Sequence, residues 1–382
     1  MDVLHCCCAD LDVHKRTVVA TVPHVDPAGP VSARTQTFAT MTRDLLALAD
    51  WLAAQGVTIV AMESTGSYWK PVFNLLEDRF EVVLVNAHHV KQVPGRKTDV
   101  KDCQWIAQLL QHGLLRPSFV PPRPIRELRD LTRQRTQLIR QRATQANRLQ
   151  KVLEDANIKL AGVATDILGA SGRSMIRALI AGETDPSRMA ELARRRMRTK
   201  IPLLVRALTG RVTDHHRYQL RSLMEQVEHL DGRIERIDGR IQEVTAPWAE
   251  EVTRLATIPG VNRQAAEVLI AEVGVDMTAL PTAGHLGSWA GMSPGNNQSA
   301  GKRDSGRTTE GNAWLRSVLV QAAWAARPPK QTRLGLTYHR LARRVGKKRA
   351  AVAVGRKILK LVYELLTHRT DYQERSTPDQ AA

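Results

Sequence analysis

Aromatic residues are scarce in this 382-residue chain, at 4%. That leaves few rings for a nucleic-acid platform built by stacking bases on side chains. Cysteine is scarce too: Cys6, Cys7 and Cys8 are adjacent and Cys103 stands alone, four in all. No disulfide framework follows, and a reduced cytoplasm is expected. Consecutive strand residues face opposite sides, so His5 and the three adjacent cysteines cannot all ligate one ion. No apolar run reaches the roughly 18 residues of a transmembrane span. Asp2, Asp10 and Asp12 near the N-terminus argue against a secretory signal. Acid is also in deficit, with 38 Asp and Glu against 56 Lys and Arg, a net +18. Such a charge points to a polyanion, nucleic acid ahead of membrane. The basic runs lack the broad apolar face with aromatic anchors that an interfacial helix needs.

What is present is enough for a folded protein. Hydrophobic residues make up 43% of the chain, and its length suits two or three domains with buried cores. The charge is unevenly spread. Residues 1–120 carry −1, 121–212 carry +12, 213–325 carry −3 and 326–382 carry +10. Two separate basic blocks therefore account for the whole excess.

The N-terminal third alternates strand and helix signals. Strands are predicted over 3–9, 16–22, 33–39, 57–62 and 80–86, with helices over 40–55, 67–77 and 98–112. This predicts an α/β domain with a mixed sheet. Asp12 and Glu63 fall at strand ends, and Asp99 and Asp102 share one face at a helix N-terminus. Each acid alone has a bland reading as a turn or helix-start residue. Four carboxylates converging from strand ends and a neighbouring helix make an oxygen-rich site for Mg²⁺ or Mn²⁺.

Residues 121–124 (PPRP) read as a linker, followed by a very basic helix from Ile125 to about Ala156. Its arginines include Arg126, Arg129, Arg133 and Arg140. A run of one sign favours phosphate contact over a solvated face. A second cluster contains Arg195 and Arg196. Leu220, Leu223, Val227, Leu230, Ile234, Ile237, Ile241 and Val244 then recur at alternating steps of three and four. That is a coiled-coil seam, pairing either with helix 125–156 or with another chain. Residues 255–274 read as helix, Pro-Gly turn, helix. They suit a helix–hairpin–helix whose turn amides meet phosphate, or a plain αα-hairpin. Between two further helices lies a long Gly-, Ser- and Asn-rich loop with Lys302, Arg303 and Arg307. A serine there, Ser293, Ser299 or Ser305, can attack a phosphodiester while cations stabilise the charge. Residues 327–360 hold twelve Lys or Arg and no acid, among them Arg343, Arg344, Lys347, Lys348 and Arg349. This stretch, with the amphipathic helix 352–366, suits a DNA clamp.

The stretches DLDVHK (10–15), ESTGSYW (63–69) and PGRKTDVKD (94–102) resemble the DEDD signature of the insertion sequence 110 family of transposases. The resemblance implies an RNase H-like N-terminal domain of the Holliday-junction-resolvase type. On it, Asp12, Glu63, Asp99 and Asp102 map onto the four metal-binding acids. Asp10 stands where the family usually has Gly and is a rival to Asp12. WAGMSPGNNQSAGKRDSG (289–306) resembles the family's C-terminal transposase domain. There the serine lies five residues after a Pro, which is Ser299 here, with Ser305 as runner-up. The implied domains are 1–120 (catalytic), 121–250 (basic helical and coiled coil), 251–370 (mainly α-helical, with the serine) and 371–382 (tail). The implied activity is DNA cleavage and strand exchange through a 5′-phosphoserine link. The implied partners are element and target DNA, a structured guide RNA and further copies of the chain. They would form a dimer or a tetramer, in which one subunit's serine meets another's carboxylates. A cytoplasmic, nucleoid-associated location without membrane contact is expected. Two rivals stand beside this reading. One is a metal-dependent junction resolvase that hydrolyses with water, and the other is an inactive nucleic-acid-binding scaffold.

Overall fold

A computed structural model describes residues 5, 7–24, 32–64, 66–85, 106, 109–115, 117–294, 297–299, 302–305, 308, 311–328 and 332–374. The chain forms two compact units, residues 1–120 and 121–382.

The first unit holds a five-stranded sheet in the order β3-β2-β1-β4-β5. β1 (Cys8–Val13), β2 (Thr17–His24) and β3 (Ser32–Ala39) run antiparallel. β4 (Ile59–Glu63) and β5 (Glu81–Val85) continue the sheet in parallel with β1. β1 begins and ends later than the predicted 3–9, so Asp12 lies inside the strand. The reason is burial: Cys8, Ala9, Leu11 and Val13 are all core residues of a central strand.

Alternation divides the sheet into two faces. Leu11, Val13, Val60 and Met62 pack with Leu45, Leu48 and Leu52 of α1 (Thr42–Ala54) and Val72, Phe73 and Leu76 of α2 (Trp69–Leu76). Both helices present apolar residues at the spacing of one face. On the opposite face Cys8, Ile59 and Ala61 pack with Ile106 and Leu110. Residues 109–111 are helical, within the predicted helix 98–112. Most of that helix, including Asp99 and Asp102, lies outside the described residues.

The second unit is mostly helical. α3 (Arg123–Asp155) and α8 (Asp214–Thr245) lie side by side along their length. They run antiparallel: Arg142 bonds Asp231 while Arg135 bonds Asp238. The predicted seam thus finds its partner within the chain. Leu220, Val227, Leu230, Ile237 and Ile241 are buried, and Leu223, Ile234 and Val244 are partly buried. At the far end of this hairpin, α4 (Leu160–Val163), α5 (Ala170–Ala181), α6 (Pro186–Ala190) and α7 (Ile201–Leu208) form a small module with its own core.

At the near end sit α9 (Ala249–Ala256), α10 (Arg263–Val273), α11 (Ala283–Trp289), α12 (Ala313–Ala325), α13 (Arg333–Val345) and α14 (Lys347–His368). Their shared core includes Leu269, Leu315, Leu319, Ile358 and Val362, and reaches Ile125 and Leu128 of α3. Between α11 and α12, where the sequence suggests only a loop, β6 (Asn297–Ser299) and β7 (Lys302–Ser305) pair antiparallel. These short polar strands carry no apolar alternation, so nothing in their composition marks them as strands. Among the described residues, no helix is long and apolar enough to cross a membrane.

Candidate functional site

The carboxylate site begins at the carboxyl ends of two adjacent parallel strands. Leu11 of β1 is in register with Met62 of β4, so the next residue of each strand is an acid, Asp12 and Glu63. Alternation puts both on the face opposite Leu11 and Met62, where Ile106 and Leu110 pack. Asp12 keeps 42% of its side chain exposed and lies 3.1 Å from Nε2 of His14. Asp10 shares that face but is 1% exposed, deep beneath the strand end. Asp12 is therefore the more accessible of the two acids. Asp12 and Glu63 supply hard oxygen donors at a solvent-accessible strand end, a donor set that fits a hard divalent cation. Among the described residues no third ligand completes a cluster, and the other two acids, Asp99 and Asp102, lie outside those residues.

Ser299 is the last residue of β6 and pairs with Lys302, the first of β7; Gln298 pairs with Arg303. Ser305 pairs with Asn297 at the other end of the arm, and Ser293 precedes the arm altogether. The base of the arm is pinned. Pro294 bridges to Thr308, and a Cβ on Gly311 would meet the Gly291 nitrogen at 2.4 Å. Asn312 then caps α12 by accepting from the Trp314 and Leu315 amides.

A buried ionic network ties this region to the hairpin, and nothing local in the sequence announces it. Glu272 of α10 has no exposed side-chain surface. It accepts two hydrogen bonds from Arg133, at 2.7 and 2.8 Å, and one from Nδ2 of Asn312 at 2.6 Å. Arg129 donates to the Ala271 and Glu272 carbonyl oxygens. Burial pulls its pKa down, and neighbouring Glu272 opposes that shift. Arg135 bonds Glu267 at 2.6 Å and Asp238 at 3.1 Å. The one available hint is that Glu267 and Glu272 interrupt the otherwise apolar stretch 266–273.

This network bears on the phosphate reading of Arg129 and Arg133. Each turns two of its donors to Glu272 and its neighbours, so carboxylates distant in sequence neutralise part of the one-sign run. Arg126 likewise donates to the Pro121 carbonyl. Arg140 is exposed and stacks over Trp314 at 5.2 Å, with Arg133 5.6 Å from the same ring. Arg195 and Arg196 are exposed at the hairpin's far end. Lys302 and Arg303 lie on β7. Arg343 and Arg344 end α13, and Lys347, Lys348 and Arg349 open α14, all five exposed. Cations in a helix's first turn oppose its dipole, and among the described residues no carboxylate pairs with these five.

The Pro-Gly turn is an αα-hairpin turn packed on α12. A Cβ on Gly260, at φ +87°, would lie 2.2 Å from the Ala322 carbonyl oxygen. The N-terminus of α10 is capped internally, with the Asn262 side chain accepting from the Ala265 amide.

Comparison with known proteins agrees with both halves. Residues 9–158 match a model of DEDD transposases of the IS110 type, described as Transposase. Residues 252–339 match one described as Transposase IS116/IS110/IS902 family. Together the two matches span more than half of the chain. The chain is also 24% identical over 331 residues to the transposase for insertion sequence element IS1111A of Coxiella burnetii (strain RSA 493 / Nine Mile phase I). That alignment covers 84% of this chain and 81% of the relative. An RNase H-like mixed sheet ending in paired acids, a helical unit with a serine-bearing arm and these matches agree: the chain belongs to the IS110 family of insertion-sequence transposases, enzymes that cleave DNA and transfer its strands.

Proposed function

We propose that the chain recombines DNA through a serine nucleophile, with a divalent metal held by Asp12, Glu63, Asp99 and Asp102. The observation that carries the metal site is the placement of Asp12 and Glu63 on adjacent strand ends. They share the sheet face on which Ile106 packs. Asp102 and Asp99 precede Ile106 by four and seven residues, the helical spacing of one face. The metal, Mg²⁺ or Mn²⁺, would neutralise charge on the scissile phosphate.

Ser299 attacks phosphorus through its hydroxyl oxygen. A 5′-phosphoserine bond forms, the bond to the 3′ oxygen breaks, and that oxygen leaves with a proton. Ser299 lies at the end of its strand, paired with Lys302, and cations beside a developing oxyanion favour this step. Religation reverses it on a second strand. The domains are read as 1–120 for the carboxylates, 121–250 for the hairpin, 251–370 for the serine and 371–382 for the tail. Arg140, Lys302, Arg303, Arg343, Arg344, Lys347, Lys348 and Arg349 are read as contacts to nucleic-acid phosphates, element and target DNA together with a structured guide RNA. A homo-oligomer, dimer or tetramer, working in the nucleoid-bearing cytoplasm fits this role.

The test is a strand-exchange assay on DNA bearing the element's ends, resolved on a denaturing gel. Wild-type protein is expected to leave a protein–DNA adduct, and Ser299→Ala none, while Ser305→Ala retains it. If Ser299→Ala still cuts and exchanges strands, the hydrolytic junction-resolvase alternative replaces the phosphoserine route. If Asp12→Asn and Asp102→Asn both recombine normally, the carboxylate assignment is wrong.

A further inference from the structure

The far end of the α3–α8 hairpin carries a part of the molecule that the two family matches leave uncovered from residue 159 on. The matches stop at residue 158 and resume at residue 252. We propose that the module formed by residues 156–213 is a separate binding site for the phosphate backbone of a nucleic-acid duplex.

The module is a folded body rather than a connecting loop. Leu160, Met175, Ile176, Leu179, Met189 and Leu204 are buried in it and share a core with Leu149 and Leu153 of α3. It therefore offers a rigid surface. Residues 156–213 contain eleven Lys or Arg against four Asp or Glu, a net +7. Part of that charge is spent on the fold. Arg173 reaches Asp231 and Arg177 reaches Glu228, both on α8, and Arg198 pairs with Glu191.

Arg188 pairs with Glu183 and Asp185, and Lys159 with Glu154. Among the cations left over, Arg194, Arg195 and Arg196 are consecutive. All three are exposed, and among the described residues no carboxylate pairs with any of them. They lead into the segment Arg195–Lys200, in which only Met197 is partly buried, against the module's core. Arg195 sits at φ +52°, in the left-handed region that a residue with a Cβ disfavours. The backbone there is fastened to the module: the Arg194 amide donates to Oγ of Ser171, the Met197 amide to the Arg194 carbonyl and the Thr199 hydroxyl to the Arg196 carbonyl. Three consecutive guanidinium groups are thereby held outward on a fixed support, and an anionic partner would pair with them.

The partner's class follows from what the module lacks. Residues 156–213 contain no Phe, Tyr or Trp, so bases of a single strand have no ring to stack on. Phosphates held at regular spacing, as along a DNA duplex or an RNA stem, need only outward cations on a rigid support. This site is independent of the acids and the serine proposed for the chemistry.

The full-length chain would be titrated with a labelled DNA duplex of arbitrary sequence, an RNA stem-loop and a single-stranded oligonucleotide, over a range of salt. In Arg194→Ala/Arg195→Gly/Arg196→Ala, the slope of log affinity against log salt is expected to fall by about two to three, at ~0.9 per lost phosphate contact. A fall with the DNA duplex names DNA as the partner, and a fall with the stem-loop alone names folded RNA. The triple-lysine variant, which keeps the charge, is expected to retain most of the slope. Should the triple variant fail to fold, Arg195→Gly alone, which relieves the backbone, should lower the slope by about one. Unchanged slopes on both duplex probes, or a loss confined to the single strand, overturn the proposal. Asp12→Asn separates the two readings: it is expected to abolish cleavage and keep the full slope. If it cleaves normally, the carboxylate assignment fails and the module's role stands.

Discussion

Glu272 is fully buried between Arg133 and Asn312 and lies 3.4 Å from Arg129. Replacing it with Ala leaves the partly buried Arg129 and Arg133 without their counter-charge, which costs up to about 3–5 kcal/mol, the range for removing one partner of a buried pair. Chemical denaturation of Glu272→Ala is expected to show a loss of about 2–4 kcal/mol, and a loss below about 1 kcal/mol would sink the network's structural role. The same logic covers Glu267 beneath Arg135. The residue types were visible in the sequence, as acids within an apolar helix. Their partners were not, because Arg133 and Glu272 are 139 positions apart. Charge counted along α3 therefore did not separate cations paired within the fold from cations left to the surface.

At the scale of elements, the hairpin is fastened by Asp231, which Arg142 and Arg173 both contact. Burial tends to raise its pKa, but the hydrogen bonds from the two arginines outweigh that and hold the carboxyl below its ordinary 3.8. A lowered folded-state pKa means this stabilisation is fully present above the unfolded value and is lost as pH falls through the lowered one. Wild-type protein should therefore lose its advantage over Asp231→Asn in thermal melts as pH drops below about 3.8. Equal melting differences at neutral and acid pH would contradict this. The heptad seam was legible from its three-four spacing, and its choice of an internal partner was not. The two helices present matching apolar edges, and only the chain's return through the far module sets them antiparallel. The serine arm behaves differently. Gly311 has no space for a Cβ against Gly291, so Gly311→Ala should shift the root of the arm. Adduct formation is expected to fall at least tenfold, equivalent to about 1.4 kcal/mol, while the rest of the fold survives. Adduct formation at the wild-type rate would show that the arm tolerates a displaced root.

For the whole molecule, the net +18 resolves into cations with different duties. Some, such as Arg129, Arg133, Arg135 and Arg173, are consumed by carboxylates and carbonyls within the fold. Others, at Arg194–Arg196 and at the α13–α14 junction, stay exposed with no carboxylate partner among the described residues. The second group should govern association, so affinity for duplex DNA is expected to fall linearly in log–log terms as salt rises. Charge neutralisation at Arg343, Arg344, Lys347, Lys348 and Arg349 should flatten that dependence, and a slope equal to wild type would remove the junction from the binding surface. If a guide RNA is bound, protein purified without nuclease should carry a discrete RNA species, and a preparation free of RNA yet active in strand exchange would refute guidance.

Local pattern determined a good deal by itself. Strand alternation, helix spacing and the order of acids and serine are short-range properties, so the α/β unit, the helical unit and the family could be read from the sequence. Tertiary structure decided what depends on distant residues meeting. It extended β1 to Val13, one residue past Asp12, gave Arg129 and Arg133 to Glu272, and paired the seam with α3. It also turned a polar stretch into a two-stranded arm ending at Ser299. The physical reason is common to all of these. Burial and charge pairing are settled by neighbours in space, and those neighbours lie far apart along the chain.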